Sequence, residues 1–217
     1  MIFREKPITE IAVEEKEIER TLGNNASHGE CLFLAAGRMI YRKGFAFLLD
    51  ALERVPEDSN YKFQIVGGGP ELNRLRARGE SSEKLSKHVS FSGVVSYETM
   101  KQKYQSADVF VMPSIRETTG TVLMEAMANG LPIITINKFG GSVLLDSNTG
   151  WLYDGDTKED YIEGLKNAIV DCICRPDEVA RRGQNALEKA RMYTWQKKNA
   201  VYQRIYADLL AKDTVLL

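Results

Sequence analysis

The stretch from Met112 to Pro132, MPSIRETTGTVLMEAMANGLP, decides the fold of this chain. It places two carboxylates, Glu117 and Glu125, eight positions apart across a loop-to-helix junction. Before it, Ala107-Asp108-Val109-Phe110-Val111-Met112 reads as a short buried strand. After it, Leu131-Pro132 stops the helix and Ile133-Ile134-Thr135-Ile136 begins another strand. A strand, a glycine-bearing loop that carries an acid, then a helix N-terminus is how α/β sheets hold phosphates and sugar hydroxyls.

Working outward, the same alternation continues on both sides. Apolar runs lie at Cys31–Ala36, Phe63–Val66, Val89–Phe91, Val109–Met112 and Ile133–Ile136, with a sixth short strand expected at Trp151-Leu152-Tyr153. Helix-period stretches separate them at Phe45–Val55, Glu71–Arg78, Tyr97–Gln105 and Thr121–Ala128. Strand and helix in strict turn predict an α/β fold, a Rossmann-like doubly wound parallel sheet of about six strands with helices on both faces. From Lys158 on the chain reads as three helices, 158–173, 177–192 and 195–211, with Pro176 opening the second and Thr194 placed to cap the third. Residues 1–30 are polar, with one amphipathic stretch from Ile8 to Leu22, and read as a linker or docking segment. The domain proper is 31–217.

Composition narrows the function. Apolar residues make up 43% of the 217, enough for a sizeable core. No apolar run is long enough to span a bilayer, and Glu5, Lys6 and Glu10 interrupt any signal-peptide core. With 29 basic and 30 acidic residues, the chain lacks the basic excess of a dedicated nucleic-acid binder. The three cysteines show no zinc-ligand spacing and read as reduced thiols of a cytoplasmic protein. Cys172 and Cys174, two apart in a helix, point to different faces. His28 and His88 read as ordinary surface or loop histidines.

Every strand feeds a distinctive loop at its C-terminal end, and in a parallel sheet these ends share one crest, where ligands of open α/β sheets bind. The first loop is Gly37-Arg38-Met39-Ile40-Tyr41-Arg42-Lys43-Gly44; Arg38 and Lys43 suit a pyrophosphate. The second, Gly67-Gly68-Gly69-Pro70, permits close backbone approach to a ligand. It also argues against a dinucleotide-binding dehydrogenase, which needs G-x-G-x-x-G after its first strand and an acid after its second. The third, Gly93-Val94-Val95-Ser96, could touch a base, and the fifth is Asn137 to Ser142. In the fourth, Thr118, Thr119, Gly120 and Thr121 crowd a helix entrance whose N–H groups can hold phosphate oxygens or be capped by a threonine hydroxyl. Glu117 and Glu125 could be an acid/base pair of a glycosidase, but the spacing gives no reason to place them on opposite sides of a scissile bond. Acceptance of ligand hydroxyls suits them better, and the apolar neighbours Leu123, Met124, Ala126 and Met127 put Glu125 in a tight place.

These motifs together resemble the donor-binding domain of group 1 (family four) retaining glycosyltransferases. The resemblance rests on G-R-x4-K-G from Gly37, V-G-x-G-P from Val66, F-x-G from Phe91 and P-S-x2-E-x7-E-A-M-A-x-G-x-P from Pro113. It covers roughly residues 31–212 and implies one half of a GT-B fold. It further implies that Glu117 contacts the donor sugar, that Glu125 binds the ribose and that Arg38 and Lys43 stabilise the diphosphate. Backbone near Thr119, Gly120 and Thr121 would meet the phosphates, Gly37 and Gly68 would lie beside the nucleotide, and Gly93 and Val94 would flank the base. Two positions depart from the pattern: Thr118-Thr119-Gly120 replaces an aromatic-glycine pair, and Val143-Leu144-Leu145 stands where an acid often follows Gly140-Gly141.

The activity so implied moves a hexose from a nucleoside diphosphate sugar to a sugar or lipid-linked hydroxyl acceptor, with no cofactor and no metal required. The family's N-terminal acceptor-binding domain has no counterpart in this sequence. Its last helix returns toward that domain, and Trp195 would begin the helix here. The complete enzyme is expected in the cytoplasm or at the inner face of a membrane. A nucleotide-sugar epimerase of the same fold and a non-catalytic nucleotide-sugar binding module stay open as alternatives.

Overall fold

A computed structural model of the protein describes residues 29–116, 121–193, 202–207 and 210. Six strands form one parallel sheet: β1 (Cys31–Ala36), β2 (Tyr61–Val66), β3 (Val89–Gly93), β4 (Val109–Met112), β5 (Ile133–Ile136) and β6 (Gly150–Tyr153). Their order is β3-β2-β1-β4-β5-β6. The chain builds outward from β1 to β3, crosses back to β4 and builds the other way. The crevice between β1 and β4 is therefore the topological switch point of the sheet.

Eight helices connect and cover the described strands: α1 (Phe45–Glu53), α2 (Leu72–Ser81), α3 (Glu83–His88), α4 (Tyr97–Ser106), α5 (Thr121–Ala128), α6 (Phe139–Leu144), α7 (Lys158–Cys174) and α8 (Pro176–Ala190). Alternation along each strand divides the core into two layers. Phe33, Phe63, Ile65, Val109, Val111, Ile134 and Trp151 face α1, α2, α3 and α7. Leu34, Val66, Phe110, Met112 and Ile133 face α4, α5 and α8. Phe33 pairs with Phe63 across β1 and β2, and their rings stack at 5.5 Å. Burial on both faces is why β4 and β5 in particular read as continuous apolar runs.

Local signals set the helix ends. Ser82 and Ser96 cap α3 and α4, accepting from Leu85 N and Thr99 N. Thr157 and Asp160 close a capping box on α7, and Pro176 opens α8. Two helices escape the sequence reading. In 79–88 Leu85 is the one fully apolar side chain, so α3 shows no periodicity and only Ser82 marks it. Gly140-Gly141 reads as a loop, yet α6 lies there, pressed so closely on β5 that a Cβ on Gly141 would sit 2.9 Å from Thr135 Cγ2. The helices expected at 158–173 and 177–192 run over 158–174 and 176–190, the second continued by a 3₁₀ turn at Arg191–Tyr193.

Of the third terminal helix, residues 202–207 are helical, and Tyr202, Ile205, Tyr206 and Leu210 are exposed. Thr194 and Trp195 lie outside the described residues, as does the docking segment up to residue 28. Cys31, Cys172 and Cys174 are all free thiols; Cys172 is buried and Cys174 exposed, on different faces as expected. Burial pushes the Cys31 and Cys172 thiols well up, which keeps them protonated. His88 is structural: its ring stacks on Tyr61 and its Nδ1 lies 2.9 Å from the Tyr61 carbonyl. Among the described residues no helix is long and apolar enough to cross a membrane.

Candidate functional site

The loop after β1 is held by its neighbours on both sides. Met39, fully buried, anchors its middle. Met39 N donates to Gly68 O at 2.8 Å, and Met39 O accepts from Glu71 N at 3.1 Å. One strand further out, Gly67 N donates to Gly93 O at 2.8 Å. At Gly67, φ is 136°, and a Cβ would fall 1.9 Å from Gly37 O, so only glycine lets these loops lie this close. The crest loops of β1, β2 and β3 thus form one stitched backbone layer. Gly37, Gly68, Gly93 and Val94 all belong to it, with Gly68 in direct contact with the Val94 side chain.

Across the switch point the loop after β4 is tied to the same layer. Ile115 N donates to Arg42 O at 2.9 Å, and Tyr161 OH of α7 donates to Pro113 O. Ser114 is buried beside this junction. The turn Tyr41–Lys43 ends on Gly44, which opens α1 in the left-handed region. Arg38 is exposed on the crest, while Lys43, half-buried, stands where the turn meets α1. The crest therefore carries both cations of the expected diphosphate pair on a loop whose shape is fixed from two sides. Glu117, Thr118, Thr119 and Gly120 lie outside the described residues; Thr121 begins α5 directly after them.

Glu125 sits on α5 at 8% exposure and is the buried acid of this region. Tyr104 OH of α4 donates to its Oε2 at 2.9 Å. Burial pushes the Glu125 carboxyl up from its ordinary value, and the Tyr104 hydrogen bond pulls it back down. Burial and the adjacent Glu125 raise the Tyr104 phenol well above its ordinary value, which keeps it a donor. The tight place expected for Glu125 is thus observed.

Three residues that shape the site were not singled out from sequence. Gly44 closes the G-R-x4-K-G motif without a role assigned to it; the signal for one is a glycine directly before a helix-period run. Tyr104 falls one turn after Met100 on α4, and its hydroxyl partner is 21 residues away in sequence. Arg76 of α2 brings a further cation to the crest, its Nη2 3.5 Å from Phe91 O and close to Gly93. No local pattern marked it.

A cleft of about 150 Å³ lies at the opposite pole, where Cys31, Asn60, Asp108, Asn129 and Leu131 gather at the strand N-termini. Among the described residues no group of three or more His, Cys, Asp or Glu side chains could hold a metal ion.

Comparison with known proteins gives the family of this fold. The family model for "Glycosyl transferases group 1" covers residues 18–189. An uncharacterized glycosyltransferase of Methanocaldococcus jannaschii is 31% identical over 206 residues, 93% of this chain and 48% of that protein. Alpha-monoglucosyldiacylglycerol synthase of Streptococcus pneumoniae is 31% identical over 75% of this chain and 35% of its own length. Among solved structures, sucrose-phosphate synthase of Thermosynechococcus elongatus superposes with a TM-score of 0.73 at 26% identity, covering 95% of this chain and 51% of that one. The chain spans about half or less of the length of the relatives it matches. Its sheet and flanking helices are one Rossmann-like half of a GT-B fold. This chain belongs to the group 1 glycosyl transferase family.

Proposed function

We propose that this chain is the donor-binding half of a retaining glycosyltransferase, which moves a sugar from a nucleoside diphosphate to a hydroxyl acceptor. The observation that carries the reading is the stitched crest at the switch point: the loop after β1, which bears Arg38 and Lys43, is tied by Ile115 N to Arg42 O to the loop that leads into α5 and its buried Glu125. In this reading Glu125 accepts from the ribose hydroxyls and Glu117 from the donor sugar. Arg38, Lys43 and the backbone of Thr119, Gly120 and Thr121 meet the diphosphate. Gly37 and Gly68 let it approach, and Gly93 and Val94 flank the base. The solved structure of an Anabaena protein of this fold, at a TM-score of 0.71 and 21% identity, is a complex with UDP and glucose, which supports a nucleotide-sugar donor.

The reaction breaks the bond from the sugar C1 to the diphosphate oxygen and forms one from C1 to the acceptor oxygen, releasing the nucleoside diphosphate and a proton. Charge develops on the leaving diphosphate. Fixed cations and helix N–H groups aimed at it lower the barrier without the reorganisation that water would need, and without a metal or cofactor. The acceptor, a sugar or lipid-linked hydroxyl, is assigned to a preceding domain, since the relatives are about twice as long or longer. The exposed Tyr202, Ile205, Tyr206 and Leu210 supply an apolar stripe for such a domain to cover. The role proposed for the complete enzyme is polysaccharide or glycoconjugate synthesis on the cytoplasmic side.

Calorimetric titration with UDP, GDP and ADP tests it, on this chain and on a protein that includes the preceding half. One nucleotide should bind selectively, and Glu125→Ala should weaken it at least tenfold, about 1.4 kcal/mol. No binding by either protein overturns the reading, and so does a Glu125→Ala variant that binds like wild type.

A further inference from the structure

We propose that Tyr104 is the positioning residue that makes Glu125 selective for a ribose diol, an inference that rests on the ribose reading of Glu125 above. An ionised carboxylate only accepts hydrogen bonds and has about four lone-pair sites. To grip two vicinal hydroxyls it must be charged and must turn the correct oxygen edge outward. Burial at 8% exposure works against the first requirement, and free rotation of the side chain would work against the second.

Tyr104 answers both. Its hydroxyl occupies Oε2 at 2.9 Å, which fixes the carboxylate plane and leaves the remaining lone pairs for a ligand. The main chain of Glu125 is held from the other side, its carbonyl accepting from Asn129 Nδ2 at 2.9 Å and Asn129 N at 3.2 Å. The Tyr104 ring is itself buried, 4% exposed and packed on Phe110 at 5.8 Å between centroids. A hydrogen bond given to the charged form also offsets the rise that burial imposes on the Glu125 carboxyl. A protonated Glu125 would offer a donor to hydroxyls that themselves need an acceptor. Tyr104 thus touches Glu125 and not the nucleotide, and acts through it.

Tyr104→Phe removes the hydroxyl and keeps the ring packing. In the titration above, the nucleoside diphosphate that binds should lose roughly tenfold in affinity at neutral pH. The ratio of its affinity to that of the 2′-deoxy analogue should shrink toward one, because an unfixed carboxylate no longer distinguishes a diol from a single hydroxyl. The acid limb of binding should move to higher pH, since Glu125 protonates more easily without its donor. Each limb is read as variant against wild type, so the titration of the nucleotide's own phosphate cancels. Isosteric 3-fluorotyrosine at position 104, a stronger donor, should move the limb to lower pH and provides the test if the phenylalanine variant does not fold.

A purely structural role would lower affinity for both sugars alike and leave the acid limb in place, and that result overturns the proposal. If Glu125→Ala loses binding while Tyr104→Phe matches wild type in affinity, sugar ratio and pH profile, the positioning role fails and the ribose reading survives. If Glu125→Ala has no effect, or no nucleotide binds at all, the ribose reading fails and this inference falls with it.

Discussion

Gly44 and the carbonyl of Pro113 lie in direct contact across the switch point: a Cβ on Gly44 would sit 1.7 Å from Pro113 O. Gly44 also has φ of 69°, the left-handed region, at the point where the 3₁₀ turn becomes α1. Two independent constraints therefore demand glycine at one position. A left-handed L-residue costs about 1–2 kcal/mol, and no rotamer change relieves a collision with backbone. Gly44→Ala should destabilise the chain by about 3 kcal/mol in urea denaturation. It should also weaken nucleotide binding, because the contact joins the loop carrying Arg38 and Lys43 to the loop that leads into α5.

Gly68 makes a contact of another kind. A Cβ there would fall 2.7 Å from Val94 Cγ2, the end of a side chain that is 66% exposed. The exposed Val94 side chain can swing away, so Gly68→Ala should change stability by no more than about 0.5 kcal/mol. Nucleotide affinity should fall all the same, since in the proposed reading Val94 flanks the base. Val94→Ala on the Gly68→Ala background should restore part of that loss. A double-mutant cycle should give a coupling of about 0.5–1 kcal/mol in binding and close to zero in stability.

Sequence made the backbone of this site legible and hid its cross-links. Strands β1, β4 and β5 could be bounded by inspection, because burial on both faces removes any competing alternation. The crest followed from parallel topology alone, which is why Gly37, Arg38, Gly68 and Gly93 fall on one layer. Glu125 was expected in a tight place from its apolar neighbours. Its partner Tyr104 was not found, since a hydrogen bond between α4 and α5 leaves no periodic trace. Helix α6 was missed for a related reason: Gly140-Gly141 signals a loop locally, while its cause is close packing on Thr135 of β5. Local rules see the backbone, and tertiary contact decides why a glycine is there.

Arg38 and Lys43 should separate binding from stability. Arg38 is exposed, so Arg38→Ala should leave urea stability unchanged within about 0.5 kcal/mol. Affinity for a nucleoside diphosphate should fall about tenfold, or ~1.4 kcal/mol, and affinity for the monophosphate much less. Raising salt should weaken the wild-type protein more than the variant, because screening removes what the mutation has already removed. Equal losses for the diphosphate, the monophosphate and the bare nucleoside would place Arg38 away from the phosphates. Lys43→Ala should add to the loss.

Glu125 sets stability against function, and pH makes the opposition measurable. Burial raises its carboxyl above the ordinary value, more than the Tyr104 hydrogen bond lowers it. In the window between the unfolded and folded values, the native state therefore holds a proton that the unfolded chain has released. Stability falls as pH rises whenever the native state binds more protons. The Glu125 contribution is thus favourable in acid, declines from about pH 4.5 upward as the unfolded chain ionises, and levels off above the folded value. Glu125→Gln keeps an acceptor for Tyr104 OH and removes the charge. Its stability relative to wild type should rise through that window and stay higher at neutral pH, while donor affinity drops at least tenfold. Denaturation curves at pH 4 and pH 7 check the sign. A glutamine variant less stable at pH 7 than at pH 4, each measured against wild type, would show that the carboxylate is stabilised in the fold and that the burial argument is wrong.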